Sequence, residues 1–140
     1  MKQRGTRRSC IEALAEHVPW RQLGFRAAIV FGSVARGDPS PGDVDVLLIP
    51  GEKPSLEAEV KVAELIEKLC GLEADIVTID PGNPDCGLLY IALQEGKTVY
   101  IDDGDGSVTK MIMICYDFML TKRKLAYTET LVEKVLANAP

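Results

Sequence analysis

Residues 31–49 read FGSVARGDPSPGDVDVLLI, and the reading of the whole chain turns on this stretch. It opens where an apolar run (Ala27, Ala28, Ile29, Val30, Phe31) stops at Gly32-Ser33, and it closes with Asp43-Val44-Asp45 leading a second apolar run. Strand side chains alternate faces, so two carboxylates at i and i+2 on an extended segment point to the same side. Such a pair is a ready clamp for a divalent cation. Gly32 lets the backbone turn and approach a ligand closely. Ser33 offers a hydroxyl and a helix N-cap, so backbone N–H groups beginning there are placed to receive a phosphate.

Working outward, Arg26 to Phe31 reads as a first strand and Asp43 to Ile49 as a second, with the turn residues GDPSPG at 37–42 between them. The separation is too short for a crossover helix with return, so the two strands should be antiparallel, which brings Ser33 close to Asp43 and Asp45. Pro50 through Pro54 is a loop, and Ser55 is placed to cap a helix running to Cys70, with Gly71 as its stop. Leu56, Val60, Ala63, Ile66 and Cys70 fall at helical spacing, and Glu57/Lys61 and Glu64/Lys68 are i, i+4 pairs on the other face. Glu73 to Ile79 is a third strand. Strand, helix, strand is a βαβ unit, so the second and third strands should be parallel and start at the same edge. Asp75 can then meet Asp43 and Asp45, whereas Asp80 points oppositely, begins the turn PGNPD and is the structural alternative.

The combination of FGSVARG, nine residues between Ser33 and Asp43, and then DVDV resembles the signature of the nucleotidyltransferase superfamily with the DNA polymerase beta type of fold. At 140 residues the chain is most similar to the minimal nucleotidyltransferases, compact members often encoded as antitoxins beside a HEPN-type toxin. One departure is visible: many relatives carry serine just before the first aspartate, where this chain has Gly42. The resemblance implies a metal-dependent transfer of a nucleoside monophosphate, AMP from ATP or from another nucleoside triphosphate, onto a hydroxyl, with a HEPN-type partner protein as acceptor. Asp43, Asp45 and Asp75 would be both catalytic and metal-binding, holding one or two Mg²⁺ ions or Mn²⁺ in their place. Gly32, Ser33 and Arg36 would bind the phosphates; for Arg36 a plain surface arginine is the alternative. A non-catalytic antitoxin that blocks its partner by occlusion is the competing function.

The remaining chain supplies layers around this centre. The first eight residues are basic. Ser9 is expected to cap a helix through about Val18, with Glu12 completing a capping box, and His17 is expected to be a partly exposed helix residue. Cys86 to Glu95 reads as a helix, Lys97 to Asp102 as a short edge strand, and Ser107 to Ala137 as a long helix, apolar nearly all round in its first half. That helix is the candidate docking or dimer surface, so a homo-oligomer is one expectation. The acidic run DDGDG at 102–106 lacks the later ligands of a calcium loop and reads as a turn. The expected fold class is α+β, in the wider α/β group: a small mixed sheet with helices mainly on one face and a long C-terminal helix. It reads as one nucleotidyltransferase domain over 1–140, with a core of about 9–102 and a helical extension of about 107–138.

Composition bounds the function. Net charge is -5, which argues against the long basic groove that neutralises many phosphates of a nucleic acid; the basic N-terminus and Lys122 to Lys124 are the weak alternative. Cys10, Cys70, Cys86 and Cys115 form no C-x-x-C pair and have no neighbouring histidine, which argues against zinc. With no signal peptide read at the start, a cytoplasmic location and reduced thiols are expected. The apolar cluster Met111 to Leu120 is about half a membrane span and contains Asp117, so no membrane anchor is expected.

Overall fold

The computed structural model describes residues 7–51 and 55–137, with the side chains of 10–51, 55–122 and 132–137. The elements follow in the order α1 (Arg7–His17), β1 (Phe25–Phe31), α2 (Gly32–Arg36), β2 (Asp43–Pro50), α3 (Leu56–Cys70), β3 (Glu73–Thr78), α4 (Cys86–Glu95), β4 (Lys97–Ile101) and α5 (Ser107–Ala137). The four strands form one mixed sheet in the order β3-β2-β1-β4. β1 is antiparallel to β2 and to β4, and β2 is parallel to β3, as the short turn and the βαβ crossover require.

Alternation along β2 builds both layers. Val44, Val46 and Leu48 face one side, where they pack with Ala28, Val30 and Val99 under α1 (Cys10, Leu14) and α3 (Val62, Ile66, Cys70). Leu47 and Ile49 face the other side with Ala27 and Ile29, under α4 (Leu89, Ala92) and the first turns of α5 (Val108, Met111, Cys115). The packing expected mainly on one face is thus joined by a second, shorter layer. Trp20 closes the first layer: its indole N–H donates to the carbonyl of Leu14 at 2.9 Å, and its ring meets Phe25 edge-on at 6.5 Å.

Three local expectations change. α1 begins at Arg7, so Ser9 lies inside the helix; Arg7 and Arg8 are good helix formers and extend it backwards. α3 is capped as expected, the Ser55 hydroxyl accepting from the Ala58 N–H at 3.2 Å and Gly71 taking φ of 70°. Its buried stripe, however, is rotated: Val62, Ile66 and Cys70 are buried with Ala58, Leu65 and Leu69 beside them, while Leu56 and Val60 are 75% and 49% exposed. Two apolar arcs compete on this helix, and the one carrying Val62, Leu65 and Leu69 faces the sheet because it removes more apolar surface from water. The cysteines are not free thiols. Cys10 is bonded to Cys70 and Cys86 to Cys115, because α1 packs with α3 and α4 with α5, a pairing that distance along the chain conceals. Among the described residues no helix is long and apolar enough to cross a membrane. His17 sits exposed on α1, 3.8 Å from Glu16. Residues 1–6 of the basic N-terminus and the side chains of Arg123 and Lys124 lie outside the described residues.

Candidate active site

The end of β1 and the starts of β2 and β3 meet at one edge of the sheet. Register places Phe31 opposite Asp45 and Asp45 opposite Asp75, so the chain leaves β1 directly beside the acidic pair. Asp43, Asp45 and Asp75 each present a carboxylate oxygen, and the three oxygens lie within 4.8 Å of one another. Asp43 and Asp45 share the face of Leu47 and Ile49, at the end that α4 and α5 leave uncovered. The carboxyl of Asp45 is pushed up from 3.8 to about 6, first by burial, then by the charge of Asp43 and by a hydrogen bond and charge from Asp75; the Arg36 guanidinium pulls it back. Carboxylates this close repel unless a proton or cation lies between them. Three hard oxygen donors of this kind fit Mg²⁺ or Mn²⁺ and suit no soft metal.

Gly32 is at the site for steric reasons. Its φ is +74°, and a Cβ built there would overlap the Asp45 carboxylate. Ser33 follows on the one-turn α2, which Gly37 ends in a left-handed conformation with its N–H on the Val34 carbonyl. Arg36 closes α2, with its guanidinium 3.6 Å from Asp38 and 3.5 Å from Glu95. All six residues anticipated from the sequence therefore lie around one edge. Gly42, the position of the departure, has no positive φ, and a Cβ there would meet nothing within 4 Å.

Two acidic features resolve as structural. Asp80 accepts from the Gly82 N–H at 2.9 Å and makes a turn. In the 102–106 run, Asp103 accepts from the Val108 and Thr109 N–H groups and the Thr109 hydroxyl, which holds its carboxyl below the usual range, and Asp105 pairs with Arg26 at 3.0 Å. The residue that sequence reasoning missed is Glu95. Its Oε1 accepts from the Gly32 N–H at 3.0 Å across 63 residues of chain. A signal was available: a glutamate closing a helix stands against the helix dipole, and an acid in that place asks for a partner.

The family model described as Polymerase beta, Nucleotidyltransferase matches residues 19–105, more than half of the chain. The chain belongs to this nucleotidyltransferase family. Solved structures share the fold at low identity. A chain of an MntA-HpeT toxin-antitoxin mutant aligns with a TM-score of 0.55 and 12% identity, covering 93% of this chain and 98% of the other. A chain from the complex of a tri-AMPylated Shewanella oneidensis HEPN toxin with its MNT antitoxin gives 0.51 and 14%, covering 93% and 95%. A toxin-antitoxin structure with AMP-PNP gives 0.55 and 14%, covering 93% and 98%. None of the curated proteins matches the sequence.

Proposed function

We propose that this chain is a minimal nucleotidyltransferase that transfers AMP from ATP to a hydroxyl on a HEPN-type partner protein and acts as its antitoxin. The observation that carries the proposal is the convergence of Asp43, Asp45 and Asp75 within 4.8 Å beside Gly32. Family membership supports the transferase chemistry, and neighbours in fold that occur in toxin-antitoxin complexes, one with an AMPylated HEPN toxin, support the partner.

In this reading Asp43, Asp45 and Asp75 hold Mg²⁺, or Mn²⁺ in its place. The bound cation would supply charge neutralisation for the triphosphate and its leaving pyrophosphate. Ser33 and Arg36 bind the terminal phosphates, the hydroxyl as donor and the guanidinium as a fork onto paired oxygens. Asp75 is the most exposed of the three acids and is the base that takes the proton of the attacking hydroxyl. The acceptor oxygen bonds to the α-phosphorus, the bond from that phosphorus to the bridging oxygen breaks, and pyrophosphate leaves. Met113, Ile114, Phe118 and Leu120, exposed on α5, offer apolar surface to a partner or to a second copy. The chain acts as a single domain in the cytoplasm, where triphosphate and Mg²⁺ are abundant. Disulfides are rare in that compartment, and the burial of Cys10, Cys70 and Cys115 at 3% exposure shields these from exchanging thiols.

The test is to incubate the protein with α-labelled ATP, Mg²⁺ and the protein encoded beside it, and to repeat this with Asp43→Asn. Label should move to the neighbour with wild type alone. Label that persists in the variant rules out the metal chemistry. Inhibition of the neighbour without transfer of label replaces catalysis by occlusion.

A further inference from the structure

We propose that Glu95 is a positioning residue for the triphosphate site, holding the Gly32-to-Arg36 segment against the three aspartates. The inference rests on the nucleotidyltransferase reading and deepens it.

Three observations build the arrangement. First, the Glu95 Oε1 accepts the Gly32 N–H at 3.0 Å, and Gly32 is itself pressed onto the Asp45 carboxylate. The bond therefore fixes the residue whose position decides whether the turn and the acids stay in register. Second, the same oxygen lies 3.5 Å from the Arg36 guanidinium, at the far end of α2. One carboxylate thus ties both ends of a five-residue segment. Third, Glu95 is set in place by packing. A Cβ on Gly96 would overlap the Ala92 carbonyl and the Ile29 side chain, and would come within 3.0 Å of the Val30 carbonyl, so the last turn of α4 lies directly on β1. Glu95 is partly exposed, yet it has its own long-range anchor.

The arrangement also changes which groups meet phosphate. With the Gly32 N–H already donated to Glu95, recognition falls to the Ser33 hydroxyl and the Arg36 guanidinium, and Gly32 contributes by its closeness to Asp45. Arg36 is shared between two acids, its guanidinium 3.5 Å from Glu95 on α4 and 3.6 Å from Asp38, so Glu95 supplies the contact that holds it on the α4 side.

The experiment compares the full chain with Glu95→Ala and Glu95→Gln. It measures the affinity for inorganic tripolyphosphate with Mg²⁺ by calorimetry, and Mn²⁺ binding alone by electron paramagnetic resonance. A lost charge-assisted hydrogen bond predicts that Glu95→Ala binds tripolyphosphate about tenfold more weakly. Glutamine still accepts from the Gly32 N–H, so Glu95→Gln should remain within about threefold of wild type. Mn²⁺ binding by the aspartates should stay within about twofold in both variants, a separation that general loss of structure would not produce. Tripolyphosphate binding that is unchanged or tighter in Glu95→Ala overturns the proposal, tighter binding showing that the carboxylate competes with phosphate. Glutamine as weak as alanine overturns the amide anchor. Wild type that binds Mn²⁺ but no tripolyphosphate overturns the phosphate reading itself, and the role of Glu95 falls with it.

Discussion

Replacing Asp45 by asparagine tests the electrostatics of the site without any partner or substrate. The carboxylate oxygens of Asp43, Asp45 and Asp75 lie within 4.8 Å of one another. Two unit charges at that distance repel by roughly 0.9 kcal/mol in water and roughly 3.5 kcal/mol at an effective dielectric of 20. The site is partly solvated, so screening leaves about 1–2 kcal/mol to be recovered when one charge is removed. Asparagine keeps the shape and can donate to Asp75. Without metal at pH 7.5, Asp45→Asn should therefore be more stable than wild type, with a melting temperature about 3–8 °C higher.

The sign with pH follows from the raised carboxyl. Folded Asp45 holds its proton up to about 6, whereas an unfolded aspartate releases it near 3.8. The folded state then binds more protons than the unfolded one between those values, so stability falls as pH rises through this window and the penalty is complete above it. Wild type and variant should converge below pH 4 and diverge towards pH 7.5. Mg²⁺ should act in reverse: it stabilises wild type at pH 7.5, less at pH 5, and leaves Asp45→Asn almost unmoved. Thermal denaturation at four pH values, with and without Mg²⁺, reads all of this. A variant no more stable than wild type at pH 7.5 without metal, or Mg²⁺ stabilising both equally, would refute the reasoning.

Three further outcomes are expected. Gly32→Ala combines a positive φ with overlap of Asp45 and should cost about 2–4 kcal/mol by urea denaturation, with loss of the Mg²⁺-dependent stabilisation. Gly42→Ser, which restores the residue of many relatives, finds open space and an ordinary backbone, and should leave the unfolding free energy from urea denaturation within about 0.5 kcal/mol of wild type. Removing the Cys10–Cys70 cross-link, which closes 60 residues, by the double change to serine should cost about 4 kcal/mol. A wild-type urea midpoint indifferent to reductant would contradict that pairing.

Much of the centre was legible because it depends on short-range rules. Alternation fixed the common face of Asp43 and Asp45, a crossover of fixed hand put β3 beside β2, and the short residue count between β1 and β2 favoured an antiparallel return. Features that depend on which helix meets which face were not legible. α3 carries two apolar arcs, and choosing between them needs the sheet beneath. The disulfides pair residues 60 and 29 apart because of helix packing, on which cysteine spacing is silent. Glu95 reaches Gly32 only because Gly96 lets α4 lie on β1, a contact that no local pattern encodes.

Core and site are specified by the same alternation. Val44, Val46 and Leu48 fill one layer and Leu47 and Ile49 the other, and this division alone decides that Asp43 and Asp45 share the face that α4 leaves open. A slip of β2 by one residue against its neighbours would exchange the layers and turn both acids to the face beneath α1 and α3. Asp75 is subject to the same constraint through its pairing with Asp45. Fully buried Leu47 and Val46 therefore hold the three acids together by making every other register expensive.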